Sequence, residues 1–253
     1  MPKIILSKIP TKAPKTADKK NYEKKTDDLV KKIGELSEKL YAERKSSILI
    51  VLQGMDASGK DGVAKRVFRD CPPLVVDAYA FKRPTEEEFA HDFLWRVHHQ
   101  TPAKGHIKLF IRSHYEDILI QRVHSWIDDK KAAQRLDAIN QFEKMLVENN
   151  ETTIIKFYLH LSHDRQIEKL EERKSDPTKQ WKHNDADWEE TKLWDKYMRY
   201  YEAAINGSEQ PWVIVPSDQR WYRNYFVAQK VYDVLNKLKP EYPALLNGGK
   251  TKS

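Results

Sequence analysis

The stretch ILIVLQGMDASGKDG, in the first quarter of the chain, restricts the possible folds more than any other part of the sequence. It begins with a run of mostly β-branched apolar residues (48–52), which is typical of a strand buried on both faces of a sheet. The spacing Gly54-x-x-x-x-Gly59-Lys60 follows directly and is that of a phosphate-binding (Walker A) loop. Residues 60–69 are compatible with a helix, whose positive N-terminus would face the loop. This context predicts an α/β protein with a bound phosphate group.

The glycines of this loop allow the backbone to curl so that successive N–H groups point at phosphate oxygens. Lys60 would reach the terminal phosphates as a point charge. The alternative interpretation, an ordinary glycine-rich turn, is disfavoured by the strand before the loop and the helix after it. The predicted phosphate-binding residues are Gly54, Ala57, Ser58, Gly59, Lys60, Asp61 and Gly62.

Two acidic residues in the loop predict a metal ion. Asp61 occupies the position after the lysine where a nucleotide triphosphatase usually has Ser or Thr, and Asp56 lies within the loop. Because carboxylates repel phosphate, they suit an anion-binding loop chiefly if Mg²⁺ lies between them and the phosphates. The alternative is that one of them only caps the following helix.

The rest of the chain alternates between strand and helix patterns, which predicts a parallel sheet covered by helices on both faces. Strands are predicted over residues 48–52, 74–80, 107–111, 153–159 and 212–215. Helices are predicted over residues 22–44, 60–69, 85–97, 118–126, 130–149, 164–174, 193–205 and 221–238. The polar block RSHYED follows the third strand, at the sheet edge where open parallel sheets bind their ligands.

The predicted organisation is one domain with extensions. Residues 1–21 are rich in lysine and proline and predict a basic mobile tail or an arm over the surface, and residues 22–45 form an amphipathic helix. The main domain spans residues 46–240, and residues 241–253 form a C-terminal tail. Of the net charge of +7, residues 1–45 carry +6 (13 Lys/Arg against 7 Asp/Glu), so total charge says little about a basic cleft in the body.

Several classes of protein are disfavoured by the sequence. No apolar run approaches the ~20 residues needed to span a membrane, and the N-terminus lacks the pattern of a signal peptide. Cys71 is the single cysteine, which excludes an internal disulfide and a zinc site made of cysteines. We therefore expect a cytoplasmic protein without a membrane partner.

A second constellation follows the fourth strand. The charged helix 164–174 and the polar segment up to residue 192 lie where phosphate-loop kinases of the nucleoside monophosphate type carry a lid. A lid excludes water, so that phosphate goes to an acceptor instead of being hydrolysed. The alternative is a solvated helix face. The predicted fold is a three-layer P-loop kinase-like α/β fold with a parallel sheet flanked by helices and a helical lid.

Five sequence blocks occur in order: QGMDASGKDG, FKRPT, HDFLWR, FIRSHYED and WVIVPSDQRW. Together they resemble polyphosphate kinase family 2, whose members move phosphoryl groups between inorganic polyphosphate and nucleotides. The resemblance runs from about residue 46 to residue 238. It implies Mg²⁺ as cofactor, polyphosphate, AMP or ADP and ATP as ligands, and a homodimer or homotetramer. The SHYE form of the fourth block resembles the subclass that phosphorylates both nucleoside mono- and diphosphates.

The resemblance also implies roles for individual residues. Asp56, Lys60, Arg112 and Glu116 would be the catalytic residues, with Asp56, Asp61 and Glu116 as candidate metal ligands. A polyphosphate chain carries about one charge per phosphate, so a row of cations must accompany it. The predicted channel residues are Lys65, Lys82, Arg96, Arg122, Lys169 and Arg173, of which Lys65, Arg96 and Arg122 are alternatively surface or ion-pair residues. Trp181 or Tyr158 is a candidate for stacking on the nucleotide base, with a place in the core as the alternative.

One position departs from the family pattern. The family usually has Asn or Asp immediately before the arginine of the FIRSHYED block, whereas this chain has Ile111. An aliphatic side chain cannot bind Mg²⁺, so any metal role of that position would either fall on the three acidic residues named above or be weakened.

Two rival functions remain open at this stage. One is an ATP-dependent nucleotide or nucleoside kinase, which would share the loop and the lid. The other is a polyanion-binding or nucleic-acid-binding protein that uses the basic N-terminus. The preferred interpretation includes no nucleic-acid partner, and it predicts that deletion of residues 1–20 leaves phosphoryl transfer nearly intact.

Overall fold

The computed structural model describes residues 3–245. The strands are β1 (Ser47–Gln53), β2 (Val76–Ala80), β3 (Ile107–Ile111), β4 (Thr152–His160) and β5 (Trp212–Pro216). The helices are α1 (Lys19–Glu43), α2 (Lys60–Val67), α3 (Glu86–Ala90), α4 (Trp95–His98), α5 (Ile120–Val123), α6 (Asp129–Asn150), α7 (His163–Ser175), α8 (Asp185–Thr191), α9 (Trp194–Gly207) and α10 (Arg220–Leu238). Every strand lies where the sequence pattern predicted one, within about two residues at each end.

The five strands form one sheet in the order β2-β3-β1-β4-β5, and every neighbouring pair is parallel. β1 lies in the centre and is buried along its whole length, as its continuous apolar run requires. Its side chains alternate between two cores. Leu49 and Val51 join the core beneath α6 and α9, whereas Ile48, Ile50 and Leu52 join the core beneath α1, α2 and α10. The predicted three-layer architecture is confirmed.

The amphipathic helix α1 packs along α10. Its apolar stripe, which includes Leu29, Ile33 and Leu40, is buried in the same core as Val227 and Val231 of α10. The stripe therefore covers the chain's own domain, and it gives no support to association with a second subunit.

The predicted helix over residues 85–97 is wrong as a single helix. It is divided into α3 and α4, because Asp92 accepts a hydrogen bond from the backbone N–H of Leu94 (2.9 Å) and His91 is extended. An aspartate that binds nearby backbone N–H groups competes with helical hydrogen bonding. The predicted helix 118–126 is likewise reduced to α5, which follows a 3₁₀ turn (His114–Asp117).

The N-terminal segment lies against the body as an arm instead of extending away as a free tail. Leu6 is only 2% exposed, and Ile4 exchanges hydrogen bonds with Asn206 in both directions (2.7 and 2.8 Å). The Leu6 side chain is buried, and the backbone N–H and C=O of Ile4 are hydrogen-bonded to protein, whereas in a solvated tail these groups would contact water. Of the predicted C-terminal tail, only residues 241–245 belong to the described chain, and the remainder lies outside it.

Each helix within residues 3–245 is too short or too polar to cross a lipid bilayer.

Candidate active site

The loop between β1 and α2 has the backbone conformation that its glycines suggested. Gly54 (φ 149°) and Gly59 (φ 93°) have positive φ angles, which glycine adopts without steric cost. Space is also limited, since a Cβ at Gly59 would lie 2.2 Å from Nη1 of Arg223. Arg223 itself is buried and donates to the backbone carbonyl of Ser58 (2.8 Å). The arginine thus supports the loop from behind.

Lys60 lies at the first position of α2 with its side chain folded over the loop. Its Nζ donates to the backbone carbonyls of Gly54 (2.7 Å) and Met55 (3.2 Å). Burial lowers the pKa of Lys60, Asp56 opposes this shift, and Arg112 adds to it. The ammonium group is therefore held at the mouth of the loop, where an anion would be electrostatically favoured.

Arg112 follows β3 directly and reaches the same loop. The register of the sheet pairs Leu52 of β1 with Ile111 of β3, and the N–H of Arg112 donates to the carbonyl of Leu52 (3.0 Å). The guanidinium forms an ion pair with Asp56. Burial opposes ionisation of Asp56, but the charges of Arg112 and Lys60 outweigh it and lower the pKa of that carboxyl group. Lys60 and Arg112 thus lie around one acidic residue of the loop.

Glu116 lies on the 3₁₀ turn after β3 and is half-buried. Burial raises the pKa of Glu116, although the charges of Arg112 and Lys60 act against the shift. Asp61 is the more exposed acidic residue, and it forms an ion pair with Lys182 (3.3 Å).

A large cationic cavity lies between the loop, the end of β2 and α7, with a volume of about 730 Å³. Ten of its lining side chains are Lys or Arg and three are Asp or Glu. The cations are Lys60, Lys82, Arg83, Arg112, Lys169, Arg173, Lys179, Lys182, Arg220 and Arg223. The excess of positive charge suits a polyanion, and it is a local property that the total charge did not reveal.

Two smaller cavities share Arg112 with this one. The second cavity (about 570 Å³) is lined by Lys82, Arg83, Arg96, Arg112, Glu116 and the aromatic side chains Phe81, Phe89 and Trp126, among others. The third (about 230 Å³) contains Asp56, Arg112, Glu116 and Asp187 together with Tyr197 and Tyr201. Arg112 lines all three cavities, so it lies where they meet.

The predicted lid segment contacts the loop directly. From α7, Gln166 donates to the carbonyl of Asp56 (3.1 Å) and Lys169 donates to the carbonyl of Ala57 (3.2 Å). Arg173 forms an ion pair with Asp187 of α8 (2.7 Å). Burial and the charges of nearby arginines lower the pKa of Lys169 to about 7. The lid segment is therefore closed over the loop.

Two of the predicted channel residues lie elsewhere. Arg122 pairs with Asp129 (2.6 Å) and Lys65 lines a shallow pocket beside Cys71, so neither borders the cationic cavity. Helical spacing alone did not predict these surroundings. Arg96 lines the second cavity, where it pairs with Glu88 (3.5 Å) and Asp117 (3.6 Å). The structure agrees with the alternative interpretation of Arg96, that of an ion-pair residue.

Several cations of the site were not predicted from the sequence. Arg83 and Arg220 belong to the blocks FKRPT and WVIVPSDQRW, so the family resemblance could have identified them. Lys179 and Lys182 lie in the polar lid segment, where no motif marks them. Among the aromatic residues, Tyr158 is fully buried and cannot stack on a base. Trp181 is 78% exposed at the cationic cavity.

The acidic residues suit a magnesium ion that is bound mainly by phosphate. Within residues 3–245, no group of three or more His, Cys, Asp or Glu side chains is arranged as a metal site. Mg²⁺ commonly uses only one or two carboxylates, with water and substrate phosphates as its other ligands. Asp56 and Asp61 line the cationic cavity, and Asp56 and Glu116 line the third cavity, so all three carboxylates lie beside space that a bound phosphate could occupy. These residues fit the ion.

Comparisons with known proteins agree with this geometry. The family model "Polyphosphate kinase 2" matches residues 16–243. The chain is 43% identical over 218 residues to the AMP/ADP-polyphosphate phosphotransferase of Meiothermus ruber, covering 85% of this chain and 81% of that protein. It is 36% identical over 257 residues to the ADP-polyphosphate phosphotransferase of Rhodopseudomonas palustris, and the match covers 95% of this chain and 89% of that protein.

A solved structure is similar over nearly the full length. The crystal structure of polyphosphate kinase 2 from Arthrobacter aurescens superimposes with a TM-score of 0.94 at 37% sequence identity, covering 98% of this chain and 91% of that one. With its phosphate-binding loop, its cationic cavity and a family match over most of its length, this chain belongs to the polyphosphate kinase 2 family.

Proposed function

We propose that this protein transfers a phosphoryl group between inorganic polyphosphate and a nucleoside mono- or diphosphate, reversibly and with Mg²⁺. AMP and ADP are the expected acceptors, with GMP and GDP as further candidates. The observation that carries the proposal is the position of Arg112 at the junction of a cationic and a partly aromatic cavity. A polyanion and a nucleotide bound in these two cavities would meet at this arginine.

The cationic cavity suits the polyphosphate chain. Lys82, Lys169 and Arg173 line it, as the sequence predicted, and Arg83, Lys179 and Arg220 extend the row of positive charge. The second cavity suits the nucleotide, because Phe89 and Trp126 offer exposed aromatic faces (58% and 67%) beside Arg96. Base stacking on aromatic side chains needs such exposed faces.

In the proposed reaction, an oxygen of the nucleotide's terminal phosphate attacks the terminal phosphorus of polyphosphate. A new P–O bond forms as the P–O bond to the next phosphate breaks, and the polyphosphate leaves one unit shorter. Lys60 and Arg112 neutralise the oxygens of the transferring group, which is most of what phosphoryl transfer asks of a protein. Mg²⁺, held by Asp56 and Glu116 with Asp61 as a further candidate, would supply additional neutralisation of phosphate charge.

The closed lid supports transfer in preference to hydrolysis. Gln166 and Lys169 hold α7 against the loop, so water has less access to the reacting phosphate. The SHYE turn that carries Glu116 is the feature that we assign to use of both AMP and ADP. The name of the Meiothermus ruber relative, which shares 43% identity, supports this assignment.

The test is a donor assay. The protein is incubated with long-chain polyphosphate, Mg²⁺ and either AMP or ADP, without ATP, and the nucleotides are separated by chromatography. We expect ADP from AMP and ATP from ADP, with no product from a Lys60→Ala variant. If the wild-type protein phosphorylates nucleotides only when ATP is the donor, the proposal is wrong and an ATP-dependent kinase takes its place.

A further inference from the structure

The N-terminal arm, residues 4–13, lies across the carboxyl ends of β4 and β5. His160, the last residue of β4, donates through Nε2 to the backbone carbonyls of Leu6 (3.1 Å) and Ile9 (3.2 Å). Ala13 donates through its N–H to the side chain of Gln219 (2.8 Å), just after β5. Lys12 of the arm and Arg220 line one small pocket, and Arg220 also lines the cationic cavity, so the arm lies next to the site.

Asp218 connects this arm to the lid. Its Oδ2 accepts a hydrogen bond from the hydroxyl of Thr11 (2.8 Å), and its N–H donates to the carbonyl of Thr11 (3.0 Å). Its Oδ1 accepts from the N–H of Ser162 (2.8 Å). Asp218 as a residue is only 7% exposed, and both hydrogen bonds are partly shielded from water.

Ser162 is the N-cap of α7, and its hydroxyl accepts from the N–H of Arg165. One and two turns further on, α7 presents Gln166 and Lys169 to the carbonyls of the phosphate-binding loop. A continuous series of hydrogen bonds therefore runs from Thr11 through Asp218 and Ser162 to the start of the helix that covers the loop.

We propose that Thr11 and Asp218 are positioning residues, which hold the first turn of α7 so that the lid lines the cationic cavity in its binding geometry. The proposal rests on the function given above. α7 contributes Lys169, Glu172 and Arg173 to the cationic cavity, whereas none of its described residues lines the second cavity. Loss of the contact should therefore weaken polyphosphate binding and leave nucleotide binding unchanged. The proposal differs here from the sequence-based expectation, because it predicts that removal of residues 1–20 weakens polyphosphate binding.

The first experiment compares Thr11→Val with Thr16→Val in the full chain. Valine is nearly isosteric with threonine and removes only the hydroxyl group, and Thr16 is an exposed residue of the same segment. We expect Thr11→Val to raise KM for polyphosphate about three- to tenfold, the effect of one lost hydrogen bond. KM for the nucleotide and kcat should change less than about twofold. Thr16→Val should resemble the wild type in all three constants.

A double-mutant cycle tests whether Thr11 acts through Asp218. Addition of Thr11→Val to Asp218→Ala should have no further effect, since the acceptor of the Thr11 hydroxyl is already gone. Additive effects, an unchanged KM for polyphosphate in Thr11→Val, or a fall in kcat alone would each overturn the proposal. A fall in kcat alone is what a smaller folded fraction would produce.

Amide hydrogen exchange provides a measurement that does not depend on catalysis. Thr11→Val should speed exchange in residues 163–169 and leave the amides of α10 unchanged, in the absence of substrates. Equal exchange in residues 163–169 of the variant and the wild type would overturn the positioning role. If the wild type shows no polyphosphate-dependent transfer, the proposed function fails, and the exchange result still decides whether the arm holds α7.

Discussion

At the scale of single residues, the site is built on backbone conformations that L-amino acids rarely adopt. Ala57 (φ 65°) and Arg112 (φ 62°) both have positive φ angles without being glycine. Such residues cost about 1–3 kcal/mol each and persist only where the surroundings hold them. The carbonyl of Ala57 accepts a hydrogen bond from Lys169 of α7. Arg112 is held by the bond from its N–H to β1 and by its ion pair with Asp56. The guanidinium is thereby aimed at the loop.

Arg112→Ala is expected to lower kcat by about 10²- to 10⁵-fold, because it removes a cation from the transferring phosphoryl group. The fold should survive, since the arginine lies at the end of a strand. The measurement is steady-state kinetics with polyphosphate and ADP, together with a thermal melt. Arg220→Ala is the matched control, as it removes an exposed arginine that lines the cationic cavity but not the second cavity, and it should act mainly on KM for polyphosphate. Near-normal kcat in Arg112→Ala would exclude the role.

The lowered pKa of Lys169 predicts a pH dependence of polyphosphate binding. In the free protein this pKa is about 7, so the side chain is charged below pH 7 and loses its charge as the pH rises through 7. A bound polyanion favours the charged form, so binding above pH 7 must take up a proton. KM for polyphosphate should therefore rise above pH 7, by at most about tenfold per pH unit.

Lys169→Arg serves as the control for this pH dependence. Arginine stays charged throughout the range, so the same titration of the variant should show a flatter KM profile. Identical profiles for the variant and the wild type would assign the pH dependence to another group, such as the polyphosphate itself.

At the scale of elements, the register of parallel strands brings the chemistry together. β3 lies beside β1, so Arg112 lies next to a loop more than 50 residues earlier in the chain. β4 lies on the other side of β1 and leads into α7, which returns over the loop. The lid therefore follows β4, the neighbour of β1, and it covers the loop that follows β1. Helix α1 has a different role, as it completes the outer layer together with α10.

Ile33→Ala in α1 is expected to destabilise the protein by about 2–5 kcal/mol, through loss of a fully buried side chain and the cavity left behind. No residue of α1 lines the three cavities, so kcat of the folded protein should not change. Urea unfolding measures the change in free energy. Glu35→Ala, an exposed substitution on the same helix, should stay within about 0.5 kcal/mol. A stable Ile33→Ala variant would contradict the packing role of α1.

At the scale of the whole molecule, charge is distributed in two places. The first 45 residues carry most of the net charge, yet the cationic cavity assembles ten Lys and Arg side chains from the loop, β2, β3, the lid and α10. These ten residues are separated along the chain by up to about 160 positions, so no single stretch of sequence contains them all. Folding concentrates the charge.

This distribution predicts that salt affects the two substrates differently. KM for polyphosphate should rise steeply between about 50 and 200 mM NaCl, because binding releases counterions from the polyanion. KM for the nucleotide should rise much less, since a nucleotide carries few negative charges and its binding releases few counterions. The logarithmic salt slope for polyphosphate should fall by about one in Lys82→Ala, which removes one cation of the cavity. Equal salt slopes for both substrates would argue against separate binding cavities.

The sequence alone determined the local parts of this protein. The apolar run of β1, the spacing of Gly54 and Lys60, and the alternation of strands and helices depend on residues that are close in the chain. Local sterics and hydrogen bonding decide such features, so the five strands, the phosphate-binding loop and the lid segment were predicted. Lys82, Lys169 and Arg173, which the family resemblance assigned to the polyphosphate channel, all line the cationic cavity.

Only the tertiary structure decided which distant residues share a surface. Lys65 and Arg122 were predicted for the channel but face other surroundings, whereas Arg83, Arg220 and Arg223 line the cavity. Periodicity defines one face of a helix but not the rotation of that face relative to the site. The N-terminal arm gives the same lesson, because its partners lie about 150 to 210 residues later in the chain. Such contacts depend on the packing of the completed sheet, which composition and local pattern do not encode.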